Sequence, residues 1–339
     1  MSAVISGEKP FATRAGVRAL VNAAVAAPSV HNTQPWRFRR VDDATMELYA
    51  DLDRLLTAID PMGRGLATSC GAALCNLRLA LRMTGHDARV TLLPDPARRP
   101  ELLATVRATP GDPPGRDERL LHDMIPHRRT NRFPFDDRRL AKDVFVDLVH
   151  AAYAEGATLV LVKGRTARRV LDMVGAADDT LSAEESYRAE LACWTAPDRR
   201  FDGVPAHAFG PRPRGGELPM RDFGLGGQAV PGQDQARRSA DFESDPQIAA
   251  LFTRRDGPRD WLRAGQVLQR VLLVATTHGV SASMFGQPLD LRPAQHRGDR
   301  TGPLGHVQML IRVGYGPPVP RVPRRPVSEV LDEAEAPRV

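Results

Sequence analysis

Apolar residues recur at helical spacing from residue 17 to 25. Val17, Leu20, Val21, Ala24 and Val25 share one face, and Asn22 falls away from it. Thr13 is placed to cap this helix, which should stop near Ala27, ahead of Pro28. Residues 36–41 and 45–50 read as short strands around a turn at Asp42-Asp43. Residues 71–83 repeat as a helix with Leu74, Leu77 and Leu81 on one side, and Gly85 stops it. Strands are expected at 88–93 and 102–108. The run Thr109-Pro110-Gly111-Asp112-Pro113-Pro114-Gly115 is the clearest boundary in the chain, and it divides residues 1–115 from 116–339.

The second part should open with a helix at 117–125. Helices at about 140–155 and 166–193 follow, with a strand at 158–162 between them. From Ala196 to about residue 245 periodicity lapses into Gly, Pro and Arg. A stretch that long is usually a functional lid or disorder. Phe201, Val204, Phe209, Leu218, Met220, Phe223 and Leu225 are spaced through it and favour a lid that packs on something. A long helix at 260–278 and buried strands at 281–285 and 306–313 complete the pattern.

Composition narrows the choice. The chain has 339 residues, 42% of them hydrophobic, which is enough for one large domain or two smaller ones. Its net charge of +6 comes from arginines spread along the whole chain, and aromatics are only 5%. Nucleic-acid binding needs a clustered basic face, so it is disfavoured. Three cysteines cannot build a disulfide framework, and no Cys-x-x-Cys or His-Glu-x-x-His pair exists, so no metal site is expected. Cys70 and Cys75 should pack as small hydrophobes. No apolar run is long enough to span a bilayer. Residues 19–27 could pass for a short signal core, but the helical spacing favours a folded helix and a cytoplasmic protein.

The chemistry gathers in four segments. The first is Pro28-Ser29-Val30-His31-Asn32-Thr33-Gln34-Pro35-Trp36, at a helix-to-strand junction. The second is Arg128-Arg129-Thr130-Asn131-Arg132, where guanidiniums and a hydroxyl within five residues suit a phosphate. Taken alone it could be an Arg-rich surface turn. The third is residues 279–288, with Gly286 and Gln287 in a turn where glycine allows close backbone approach. The fourth is Arg324-Arg325-Pro326-Val327-Ser328, in a Pro-rich tail that could alternatively be a polyproline ligand. His31 titrates near neutrality and could be an acid, although a lone loop histidine is more often structural.

These segments resemble the FMN-dependent nitroreductase family, and the first is closest to the Pro-Ser-x-His-Asn-Thr-Gln-Pro-Trp form of its Acg branch. The resemblance implies an α+β nitroreductase-like fold, with antiparallel-type sheets flanked by helices. It implies FMN contacts from Pro28, Ser29, Val30, His31, Asn32 and Gln34 at the ring edge. It implies Arg128, Thr130, Arg132, Arg324 and Arg325 at the phosphate, and Gly286 and Gln287 near the ring. Val30 stands where the family has a second Ser, so one hydrogen bond to the ring is missing. The order of the segments is unusual for the family. The ring motif has no Arg-x-Ser-x-Arg before it, and the phosphate motif has no Gln-Pro-Trp after it. This suggests a fused, diverged duplication: an intrachain pseudo-dimer, monomeric, with one flavin site.

Three functions follow as expectations. The first is an oxidoreductase that passes electrons from NAD(P)H through FMN to nitroaromatic, quinone or similar acceptors, with no side chain required as acid or base. No Gly-x-Gly-x-x-Gly segment follows a strand, so nicotinamide should bind only transiently. The second is an FMN store closed by the 196–245 lid. The third, a basic nucleic-acid-binding protein, would bind no flavin.

Overall fold

Helices and strands follow one another in an order that occurs twice. The computed structural model describes residues 9–197, 199, 201–215, 218–223, 237–291 and 303–332. The first set is α1 (Arg14–Val25), β1 (Trp36–Asp42), β2 (Thr45–Ala50), α2 (Arg64–Met83), β3 (His86–Leu92) and β4 (Leu102–Pro110). After α3 (Arg116–Met124) come α4 (Lys142–Ala154), β5 (Thr158–Val162), α5 (Gly164–Ala183), α6 (Glu185–Thr195), β6 (Arg212–Pro213) and β7 (Ser239–Ala240). The chain ends with β8 (Gln247–Thr253), α7 (Pro258–Thr277), β9 (Ser281–Phe285), α8 (Gln287–Asp290), β10 (His306–Gly314), α9 (Val327–Val330) and β11 (Leu331–Asp332).

The first sheet runs β11-β1-β2-β4-β3 and the second β5-β8-β10-β9. Four strands in each therefore share one order, with α2 matching α7 between the second and third of them. These pairings are antiparallel, and only the edge strand β11 joins β1 in parallel. The fold is the expected α+β arrangement of such sheets flanked by helices.

α2 and α7 pack against each other through two glycines. A Cβ on Gly71 would collide with the carbonyl oxygen of Leu262, and one on Gly265 with that of Thr68. Each glycine thus faces the residue three places before the other, a reciprocal contact of the kind made across a two-fold axis. Nearly all of α2 is buried, as expected for a helix apolar on most of its surface. Between the helices Gln269 donates to Asn76 at 2.7 Å, and both are fully buried. α3 covers the crossing, with Leu121 and Ile125 beside Cys75, Leu79 and Leu273.

Several boundaries differ from the pattern, each for a physical reason. Thr13 does cap α1, accepting from the Gly16 amide at 3.1 Å. α2 begins seven residues earlier than its leucine repeat, because the Asp60 carboxylate accepts from the Gly65 and Leu66 amides at 2.9 and 2.7 Å. The expected helix at 166–193 is two helices, broken where Glu184 is extended. The strand β8 has no counterpart in the pattern reading. Its residues are almost all buried, so no polar alternation marks it.

The described residues of the irregular stretch carry several of its apolar side chains. Val204, Leu218 and Phe223 are buried, but Phe201 is 47% exposed. Leu225 lies outside the described residues. Its far end is tied down by Arg312, fully buried, whose Nε and Nη2 each reach Glu243 at 2.5 Å between the Phe135 and Phe242 rings. Among the described residues no helix is long and apolar enough to cross a membrane.

The glycine crossing makes a direct prediction. Gly71→Ala and Gly265→Ala should each destabilise the fold by about 1–3 kcal/mol or more, the usual cost of overpacking. Gly175→Ala, in α5 with only ordinary contact around the added carbon, should gain up to about 1 kcal/mol. Denaturant midpoints of the three variants check the contrast.

Candidate functional site

The segment after α1 is held in backbone conformations that side chains rarely adopt. His31, Asn32 and Gln34 have φ of 47°, 55° and 51°. Non-glycine residues in this region carry strain and persist only where the surroundings enforce it. Here the enforcement is visible. The Ser69 hydroxyl accepts from the Val30 amide at 3.2 Å, and the Ser29 hydroxyl from the Gln34 amide at 3.0 Å. Asn32 Nδ2 donates to the Gly203 and Pro323 carbonyls, and Arg324 donates to its Oδ1. Gln34 Nε2 donates to the Phe201 carbonyl, and its Oε1 accepts from the Arg325 amide at 2.8 Å. Asn32 and Gln34 therefore knot three distant segments together, with their polar groups engaged inside the protein.

Pro28, Ser29, Val30 and His31 instead line a cleft between the two sheets. α2 contributes Arg64, Thr68 and Ser69, and the end of β9 contributes Ser283 to Gly286. Thr130 and Arg132 close one side. Met220, Arg221 and Phe223 enter from the 196–245 stretch, and Asp290 from α8. The empty volume is about 900 Å³ with its open mouth included. Gly286 lies on this cleft. Gln287 is turned into the protein, where it donates to Asp178 at 3.3 Å.

The basic segment 128–132 is pinned where the Asn131 amide donates to the Ala282 carbonyl at 2.9 Å. Thr130 and Arg132 line the cleft, whereas Arg128 lines a smaller recess with Arg129, Arg321, Arg324 and Ala26. Among the described residues no carboxylate lines that recess. Arg128 is buried with its Nε and Nη1 unpartnered. Burial, aided by the neighbouring Arg129, pushes its pKa down to about 10. Burial, with Arg128, Arg321 and Arg129 alongside, pushes Arg324 down to about 9. Guanidiniums so placed are poised for an anion. Arg324 also donates to the Ala27 carbonyl at 3.2 Å, so recess and cleft flank one turn of chain.

The last basic residue has a different place. Arg325 reaches Asp51 at 3.1 Å, the Gln34 carbonyl and Glu329, and it docks the C-terminal strand on β1. It lines neither the cleft nor the recess.

The pattern of residues gave no sign of Arg221, Asp290 or Arg64. Arg221 Nη2 meets Asp290 at 2.7 Å, and Arg64 stands 3.6 Å from the same carboxylate. Arg221 lies in a stretch without periodicity, where nothing local marks it. Arg132 donates to the Ala208 carbonyl and sits 4.7 Å over the Phe223 ring. Burial, then Arg221 and Arg237, push its pKa down to about 10. His31 meets Phe223 edge-on, and its pKa is held well below the ordinary value by burial, then by Arg221 and Arg132. Its imidazole is therefore neutral near pH 7. Cys70 and Cys75 are buried, and burial pushes the Cys75 thiol up to about 12 and Cys70 higher still. Among the described residues no group of His, Cys, Asp and Glu could hold a metal ion.

No family model matches the sequence. Several proteins of Mycobacterium tuberculosis H37Rv do. The one named "Putative NAD(P)H nitroreductase Rv3131" is 34% identical, with 99% of this chain and 98% of its own length covered. The one named "Putative NAD(P)H nitroreductase acg" is 31% identical, with 93% and 95% covered. The solved FMN-dependent nitroreductase NfnB of Mycobacterium smegmatis, in complex with NADPH, is more distant. It is 16% identical with a TM-score of 0.36, and 64% of this chain and 99% of that one are covered. Near-complete overlap at this identity means that the chain belongs to the nitroreductase-like family, alongside its Acg-named members.

Proposed function

We propose that the protein is an FMN-binding oxidoreductase that draws on NAD(P)H and reduces flat acceptors of nitroaromatic or quinone type. The observation that carries this reading is the acid-free arginine recess adjoining a flat-walled cleft at a single turn of chain. A phosphate dianion would sit among Arg128, Arg129 and Arg324. The ring would border Pro28 to His31, Thr130 and Gly286, with Arg132 as the cation at that end. When bound, FMN supplies two-electron transfer between a nicotinamide and the acceptor. The chain's own part is to bind and orient. Arg132 would favour added negative charge in the cleft, and the burial of the cleft walls would exclude water. Asn32, Gln34 and Arg325 would act by holding the loop in shape rather than by touching the cofactor.

The shared strand order of the two sheets and the reciprocal glycine contact support a fused duplication divided near residues 115–116. On that reading the chain is a monomer with one flavin, and its free thiols suit the cytoplasm. A second reading, a flavin store, is favoured by one observation. Met220, Arg221 and Phe223 of the lid themselves line the cleft that an acceptor would have to enter.

Arg128→Ala and Arg324→Ala should each weaken FMN binding by about 1.5–3 kcal/mol, the value of a charge-assisted hydrogen bond. Riboflavin, which lacks the phosphate, should lose far less. Calorimetric titration of both ligands checks this, and equal losses would place the arginines elsewhere.

Light scattering combined with flavin absorbance should give one FMN per chain in a monomer. Two FMN per chain, or a dimer with flavin between chains, would overturn the duplication reading.

Removing the lid between Pro197 and Asp241 should speed flavin reduction by NADPH in anaerobic stopped flow, and should speed FMN loss as well. If the shortened protein is reduced no faster, the lid is not a gate.

A further inference from the structure

Three side chains from three parts of the chain meet one guanidinium in the cleft. Arg221, only 10% exposed, comes from the lid. Its Nη2 meets Asp290 at 2.7 Å, and its Nη1 meets both His31 Nε2 at 3.1 Å and the Tyr187 hydroxyl at 3.2 Å. A guanidinium has no lone pair to offer, so His31 Nε2 must be the acceptor. The imidazole proton then resides on Nδ1. That nitrogen is shielded from solvent and has no partner in the protein. The strained backbone at His31, φ 47°, and the edge-on contact with Phe223 of the lid hold the ring where it is.

We propose that Arg221 is a positioning residue that couples the lid to His31. With the lid closed, its guanidinium fixes His31 as the neutral Nδ1–H tautomer and latches the lid to Asp290. With the lid open, both contacts are lost together.

The charged groups around His31 all bear on this coupling. Arg221 faces it from the lid and Arg132 from the segment before α4, and both oppose a second proton. Asp290, Arg64 and Tyr187 act through Arg221, because they hold the guanidinium in place. Asp178 adds its charge to the same socket. A closed lid therefore leaves an imidazole that can neither accept at Nε2 nor carry charge. What it retains is a single N–H donor, at Nδ1. Withdrawal of Arg221 frees Nε2, admits water and removes the nearer cation, so the ring can then take up a proton. The lid thus sets the protonation of a cleft side chain as well as access. The coupling itself needs no flavin, but its consequence for turnover rests on the oxidoreductase reading.

The test is a long-range proton–nitrogen NMR spectrum of the FMN-loaded, full-length protein with ¹⁵N-labelled histidine, with His31 assigned through His31→Gln. The wild type should show His31 protonated at Nδ1 and bare at Nε2, unchanged from pH 8 to about pH 5. Arg221→Gln should let His31 titrate within that range or shift to the Nε2–H form. Arg221→Lys keeps a cation for Asp290 but cannot serve three partners, so its His31 spectrum should fall between the two. An Nε2–H signal in the wild type would overturn the proposal, and so would an identical His31 titration in wild type and Arg221→Gln. Stopped-flow reduction by NADPH read on the same samples separates the two ideas. A changed His31 spectrum with unchanged reduction keeps the coupling and removes its link to turnover.

Discussion

The contact between α2 and α7 sets the spacing of everything around it. Two helices can touch backbone to backbone only where neither carries a side chain, and Gly71 and Gly265 provide that at one crossing. The N-terminal half of α2 then presents Arg64, Thr68 and Ser69 to the cleft, and α7 leads directly into β9, whose end forms the opposite wall. A longer side chain at either glycine would push these walls apart. The buried Asn76–Gln269 hydrogen bond a turn further on favours one register between the helices, because a slip would leave Gln269 Nε2 and Asn76 Oδ1 unpaired.

The buried arginines divide by what they face. Arg312 meets Glu243, Arg325 meets Asp51, and Arg221 meets Asp290. Each of these pairs ties an irregular segment to a sheet or helix, and losing one partner would leave a costly buried charge. Arg128 is buried and Arg324 and Arg132 are half-buried, but cations and carbonyls surround them instead of carboxylates. Burial without a counter-ion is unfavourable unless a ligand supplies one. That difference separates the arginines that hold the fold from those suited to an anion, although both kinds lie in the same short motifs.

The lid joins these two themes. Its ends are fixed by Val204 packing near Trp194 and by the Arg312–Glu243 pair, and its middle lends Arg221 and Phe223 to the cleft. A segment with few regular hydrogen bonds can still be held firmly when buried ion pairs and ring contacts replace them.

By itself the sequence determined what depends on local spacing. The helical repeat of α1, the strands at 158–162 and 281–285 and the leucine face of α2 are all short-range patterns, and each lies where the spacing puts it. The motifs Pro28 to Trp36 and Arg128 to Arg132 drew attention through residue type and order, and the fold brings members of both to the cleft. Tertiary structure alone decided which members of a motif face the cleft. Arg128, Thr130 and Arg132 are spaced two apart, as if to share a face, yet Thr130 and Arg132 line the cleft while Arg128 lines the recess. Asn32 and Gln34 turned inward because partners at 201–203 and 323–325 arrive from far along the chain. The strand β8 and the residue Arg221 were illegible for a related reason. One is buried on both faces and the other lies in a stretch without period, so each takes its meaning only from what the fold brings beside it.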